Sequence, residues 1–330
     1  MHAFAVLLAV TLSTIPPTPL VEKTQTGQAL NFDLLLVNDG AEKVVIEEIE
    51  ATVLGAKDVM VAQRRLAQNG GSIETIPSRE IAPGAKLVVF NPFHEFESDI
   101  ALNAIRYDIT FEDGKSVSTI VKPRAYDTKA DLILPIRGAR IFVHDGHDFY
   151  SHHRRLDITG TMTTRLGIHE NMTRYAYDFV LIDEQGRMQS MGAEIVAPAD
   201  GVVVKAAGDR PDGDERKPMQ LEEVLKDLSL LFGNFVTIDH GNGEFSLLAH
   251  LRKGTVSVKP GERVKRGQKI GEVGFSGDAI FPHLHYQLQR DANFGDGLPS
   301  YFRDFSRFNG TSFVRVKRGQ VDTGDVLTSP

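Results

Sequence analysis

Apolar and polar positions alternate in short runs through the first third of the chain, at residues 31–37, 43–53, 86–90, 105–111 and 116–121. Alternation with period two predicts half-buried β-strands. Asn38-Asp39-Gly40, Pro83-Gly84 and Asp113-Gly114 separate the runs with turn residues. Strands at this spacing predict a β-sandwich of about 100 residues, immunoglobulin-like in outline, over 20–122. Residues 123–130 (Pro-Arg-Ala-Tyr-Asp-Thr-Lys-Ala) have linker composition, so a second domain is expected over 131–330.

The second part also reads as mainly β. Residues 233–251 form two apolar runs joined by Asp239-His240-Gly241-Asn242-Gly243, a hairpin whose turn supplies residues tolerant of positive φ. Residues 256–274 follow with short strands and turn glycines. Leu221, Val224, Leu225, Leu228 and Leu231 recur at helical spacing and predict a short amphipathic helix behind the polar stretch 209–218. At the start, residues 3–12 are an apolar run followed by Pro16-Pro17. Residues 1–19 are accordingly expected to be an export signal, placing the protein in the periplasm or outside the cell, or else a first strand, because no Lys or Arg precedes the run.

Composition narrows the classes. A chain of 330 residues suits two domains, and 41% apolar with 25% charged residues fits neither a disordered nor a membrane-spanning protein. No other apolar run approaches the roughly 20 residues that cross a bilayer, so no transmembrane helix is expected in the mature chain. A net charge of −7 argues against a nucleic-acid partner. The absence of cysteine removes disulfides, thiolate metal sites and cysteine nucleophiles, so any metal must be held by histidine and carboxylate.

Outside the start, the histidines fall mostly in 143–169 and 240–285. His283-Leu284-His285 precedes the alternating Tyr286-Gln287-Leu288. On a strand, residues i and i+2 share a face, so both imidazoles are expected to enter one pocket. His250 ends the second strand of the hairpin, whereas His240 sits in its turn and is expected only to shape it.

Taken together, residues 197–203 (Ala-Pro-Ala-Asp-Gly-Val-Val), 233–251, 259–277 and Pro282-His283-Leu284-His285-Tyr286-Gln287-Leu288 resemble the lysostaphin-type, or LytM-like, zinc endopeptidases that cut peptidoglycan cross-links. The resemblance covers 174–288. It implies an antiparallel β-sheet peptidase domain with a duplicated hybrid motif and an open groove, one zinc ion per chain, and peptidoglycan stem peptides as partners. It also implies that Asp178 and His285 are zinc ligands and that His250 and His283 are catalytic. A catalytic zinc keeps three protein ligands and lowers the pKa of a water toward about 7, and nearby imidazoles can move its proton or stabilise an oxyanion.

The third ligand departs from the family pattern. Members of the family carry histidine four residues before the aspartate, and Arg174 stands there in Arg174-Tyr175-Ala176-Tyr177-Asp178. Arginine stays protonated and cannot bind zinc. Similarity to divergent members assigns the missing ligand to His152 or His153, with His169 as runner-up, and leaves Arg174 for a substrate carboxylate or oxyanion. Two readings from other classes stand beside the enzyme: a metal-free relative that binds peptidoglycan or regulates another hydrolase, and a carrier domain of the biotinyl or lipoyl type. The carrier reading rests on 264–273, which lacks the attachment lysine turn of such domains. The insertion 208–232 is expected to be a lid or wall of the groove, or a solvated excursion.

Overall fold

A computed structural model describes residues 10–67, 78–213, 220–293 and 295–329. Residues 3–9 of the apolar opening and 214–218 of the polar insertion therefore lie outside the described residues. The chain divides into two compact units, Met1–Tyr126 with Asp157–Gly160, and Asp127–Leu156 with Thr161–Pro330.

In the first unit, strand Asp33–Asn38 lies between Val10–Ile15 and Lys86–Phe90. The part of the opening run that is described is thus a strand, paired from Val10 with Asn38 to Ile15 with Asp33. A second sheet runs Ser116–Val121, Ala104–Phe111, Val44–Leu54, Met60–Ala67. Alternation sends Leu34 and Leu36 of the first sheet and Ile49, Ala51, Val53, Ile105 and Tyr107 of the second into one core. Tyr107 packs edge-on to Phe32 at 5.6 Å and donates its hydroxyl to Asn91 Oδ1 at 2.9 Å, which satisfies the buried phenol.

The second unit is built on an eleven-stranded antiparallel sheet. Strand Leu284–Gln289 lies between Phe245–Leu251 and Tyr177–Leu181, with Asn234–Asp239 and Gly201–Ala207 beyond the former and Ile141–Asp145 beyond the latter. Leu284, Tyr286 and Leu288 are fully buried on one face of the central strand, next to Phe179 and Phe302. The other face carries His285, Gln287 and Gln289, a polar stripe that also is buried.

Residues 221–231 do not form the single helix expected from their leucine spacing. A four-residue helical turn, Leu221–Val224, precedes a 3-10 turn, Leu228–Phe232. Asp227 separates them: its side chain accepts from Ser229 N at 3.0 Å and caps a new segment. Arg210 then ties that segment down by donating to Ser229 O at 2.6 Å and Gly233 O at 2.8 Å.

Candidate active site

Asp178 is paired directly with His285 across adjacent strands, and such partners share a face. Asp178 Oδ1 lies 3.1 Å from His285 Nδ1. His283, two residues earlier and on the same face, brings its Nε2 to 3.4 Å from the same oxygen. The His-x-His spacing therefore does place two imidazoles at one point.

His250 arrives by a less regular route. Ala249 is the residue in register with His285, so simple alternation would send His250 to the opposite face. A backbone φ of 61° breaks the alternation, and the ring ends 4.8 Å from that of His283 and 5.9 Å from that of His285. A non-glycine residue in this region costs on the order of 1–3 kcal/mol. Hydrogen bonds on both sides hold it: Gly274 N donates to His250 O at 3.0 Å, and Leu251 O accepts from Asn234 Nδ2 at 3.0 Å and Ser276 Oγ at 2.8 Å. His250 Nδ1 in turn donates to Ser276 O at 2.8 Å. Glycine is required opposite this turn, because a Cβ on Gly233 would stand 2.4 Å from the Ser276 backbone.

The third imidazole at Asp178 belongs to His153, whose Nε2 is 3.4 Å from Oδ1. It sits in the irregular stretch between strands Ile141–Asp145 and Tyr177–Leu181, so its position depends on specific bonds. Its amide donates to Ser151 Oγ at 3.1 Å, its carbonyl accepts from Asn171 Nδ2 at 2.9 Å and Thr173 Oγ1 at 3.1 Å, and its Nδ1 donates to Gly146 O at 3.0 Å. Sequence reasoning missed Gly146, Ser276, Asn171 and Gln287, since acceptors and braces of this kind leave no spacing pattern.

The neighbouring candidates differ in where they lie. His152 is exposed and its Nδ1 is engaged by Asp145 at the pocket edge. His169 is exposed and does not line the pocket. Arg174 is not at the pocket surface: it is fully buried, with Nε 3.6 Å from Asp296 Oδ1. The structure thus places Arg174 in the interior beside Asp296 and outside the pocket lining, not where the substrate-binding expectation would have it. His240 bonds Asp200 O at 2.9 Å and Ser246 Oγ at 2.8 Å, away from the other imidazoles.

The imidazoles line a cavity of about 520 Å³. Leu156, Ile168 and Met172 form apolar wall, and Leu231 and Phe232 bring the insertion to the same cavity. Phe232 packs 5.9 Å from the His285 ring. The described end of the insertion thus forms part of the pocket wall.

Burial alone would raise the Asp178 carboxyl, but His153, His283 and His285 together hold it well below its ordinary range. Burial, reinforced by the neighbouring His283 and His285, pushes His250 well below the imidazole range. Burial also lowers His285, outweighing Asp178. At His283 burial is overcome by the hydrogen bond and charge of Asp178, and the net shift is upward.

Two donor sets compete for a metal. Asp145, His152, His153 and Asp178 present ligand atoms all within 4.8 Å of one another. His153, Asp178 and His285 present theirs with edges of 3.4 Å and 3.1 Å at Asp178. Bonds of about 2.0–2.1 Å in a tetrahedron give ligand edges of about 3.3 Å. Both edges at Asp178 match that spacing and the second set is buried, whereas in the first His152 is exposed and its Nδ1 is engaged by Asp145.

Residues 187–297 match the model of peptidase family M23, overlapping the stretch that carries the lysostaphin-type resemblance. His250, His283 and His285 lie inside the match; His153 and Asp178 precede it. Over 56 residues the chain is 48% identical to the peptidoglycan DD-endopeptidase ShyA of Vibrio cholerae, covering 17% of this chain and 13% of that protein. It is 38% identical over 97 residues to the peptidoglycan DD-endopeptidase ShyC of the same organism, covering 29% and 19%. Among solved structures, the catalytic domain of the antimicrobial peptidase lysostaphin from Staphylococcus simulans aligns at 22% identity with a TM-score of 0.27, over 38% of this chain and 74% of that one. The chain spans less than a fifth of the length of these two curated relatives.

Proposed function

We propose that the second unit is a zinc-dependent endopeptidase that hydrolyses peptide cross-links of bacterial peptidoglycan, working in the periplasm or outside the cell. His153 Nε2, Asp178 Oδ1 and His285 Nδ1 would hold the ion. Zinc, when bound, supplies a Lewis acid and a water of lowered pKa.

The convergence of imidazoles on Asp178 carries this reading. His153 and His283 each spend their one neutral N–H on a backbone carbonyl, of Gly146 at 3.0 Å and of Phe281 at 2.8 Å. A carbonyl only accepts, so in the neutral rings both Nδ1 atoms hold the proton and both Nε2 lone pairs face the Asp178 carboxylate. Lone pairs at 3.4 Å from a carboxylate oxygen repel it unless a cation lies among them. A divalent ion in place of several protons answers that demand at neutral pH.

His250 has the same outward bond, to Ser276 O, which leaves the lone pair on Nε2 of a ring that lines the cavity. Its Nε2 is therefore available to take a proton. His283, whose Nε2 faces the same oxygen of Asp178, suits a group that, once protonated, donates to a developing oxyanion or a leaving amine. The apolar walls lower the polarity around these groups, which strengthens each of these interactions.

The histidines needed for metal binding and proton transfer converge in this cavity, which favours the enzyme over a metal-free binding relative. The similarity to two peptidoglycan DD-endopeptidases supports the substrate class. The test is metal analysis of the purified chain together with digestion of purified peptidoglycan. One zinc per chain and new peptide termini are expected; a metal-free chain that binds peptidoglycan without cutting it would establish the alternative.

A further inference from the structure

His285 differs from the other three imidazoles because its outward partner is a side-chain amide. His285 Nε2 lies 3.0 Å from Gln287 Oε1, and an amide can present either its oxygen or its nitrogen. The choice decides which ring nitrogen keeps a lone pair.

The rest of the polar stripe fixes that choice. Gln287 Nε2 donates to Gln289 Oε1 at 2.6 Å, and Gln289 Nε2 donates to the backbone carbonyl of Asp291 at 2.6 Å. All three side chains are buried, so none turns to water for a substitute partner. The carbonyl of Asp291 can only accept, which orients the Gln289 amide with its nitrogen outward. Its oxygen then faces Gln287 and orients that amide in turn, leaving Gln287 Oε1 toward His285. An oxygen there requires a hydrogen on Nε2, so the lone pair of the neutral ring stands on Nδ1, facing Asp178.

We propose that Gln287 and Gln289 are positioning residues that relay the polarity of the Asp291 carbonyl to His285 and set it in the Nδ1-ligating tautomer before any metal arrives. The relay rests on the reading of His285 as a ligand, and it explains why a strand with an apolar face buries two glutamines on the other. Two unionised amides perform the task that a carboxylate often performs behind a metal-bound histidine, and they do so without adding charge beside Asp178. Without the relay, Asp178 would draw the single ring proton onto Nδ1, where it must be expelled before the nitrogen can ligate.

The test is the protonation of His285 Nε2 in the zinc-free 330-residue chain, read from 15N shifts of labelled histidine at about pH 8, above the ordinary imidazole range, with His285→Gln for assignment. Nε2 is expected to be protonated in the wild type and in Gln287→Glu, whose carboxylate only accepts. In Gln287→Met, which keeps the volume but removes the acceptor, the proton should move to Nδ1 and zinc affinity should fall about 10–100-fold. Should that variant not fold, Gln289→Leu, one link farther out, should show a growing Nδ1–H fraction. Nε2 protonated to the wild-type extent in the folded Gln287→Met or Gln289→Leu variant would overturn the relay. A wild-type chain that binds no zinc while the tautomer responds as expected would leave the relay standing and remove the metal reading instead.

Discussion

Asp178 and His285 face each other across adjacent strands, with carboxylate oxygen and Nδ1 3.1 Å apart. The remaining imidazoles are arranged around this pair: His153 and His283 at the same oxygen, and His250 against the His283 ring. Each approaches from a different segment, which makes their contributions separable by substitution.

His153→Ala should lower zinc affinity by orders of magnitude, because removing one of three protein ligands leaves two. His152→Ala and His169→Ala should keep the metal. Competition with a chromophoric chelator checks all three; loss of zinc from His152→Ala would shift the site toward Asp145.

His250→Ala and His283→Ala should each reduce turnover at least about a hundredfold, the usual share of a general acid or base, with zinc content near that of the wild type. Atomic emission after dialysis, alongside release of new amino termini from peptidoglycan, separates the two effects. Metal loss from either variant would make that histidine a ligand.

Arg174→Met should act on stability. Breaking a buried ion pair costs about 3–5 kcal/mol because the partner charge is left in the interior, and Asp296 would remain, with the partly exposed Arg290 at 3.8 Å. Thermal unfolding is expected to fall while KM for peptidoglycan fragments stays unchanged. A raised KM with an unchanged melting temperature would return Arg174 to substrate binding.

Much of the fold could be read in advance because alternation reports a half-buried strand directly: residues 86–90 and 116–121 are strands with the expected bounds, and the hairpin 233–251 is likewise found. His283 and His285 were legible for the same reason. His153 and His152 were not distinguishable, since adjacent residues in an irregular segment share no periodicity and differ only in bonds made by distant Gly146, Asn171 and Thr173. His250 shows the opposite limit: the motif marks it, but alternation alone puts it on the wrong face. Arg174 was legible as an irregularity only; its partner Asp296 lies beyond the stretch that suggested the family.

Acid should destabilise the metal-free protein through His250 and Asp178. His250 is lowered by burial, so below about pH 6.5 the unfolded chain takes up a proton that the folded one refuses. The stability from neutral His250 is therefore present above that pH and lost as pH falls through its folded pKa. Asp178, also lowered, acts in the same direction below about pH 4. His283 is raised and opposes them, its contribution being complete below about pH 6.5 and lost as pH rises through its folded pKa. Urea midpoints between about pH 7.5 and 5 should fall less in His250→Gln than in the wild type; equal slopes would mean that His250 is not held neutral.

The central claim is that one zinc ion lies among His153, Asp178 and His285. Anomalous scattering from crystals of the whole chain, measured on both sides of the zinc edge, tests it most directly. A single peak about 2.0–2.2 Å from His153 Nε2, Asp178 Oδ1 and His285 Nδ1 is expected. A peak bound instead by Asp145 and His152, or no zinc signal from protein crystallised with zinc, would contradict it.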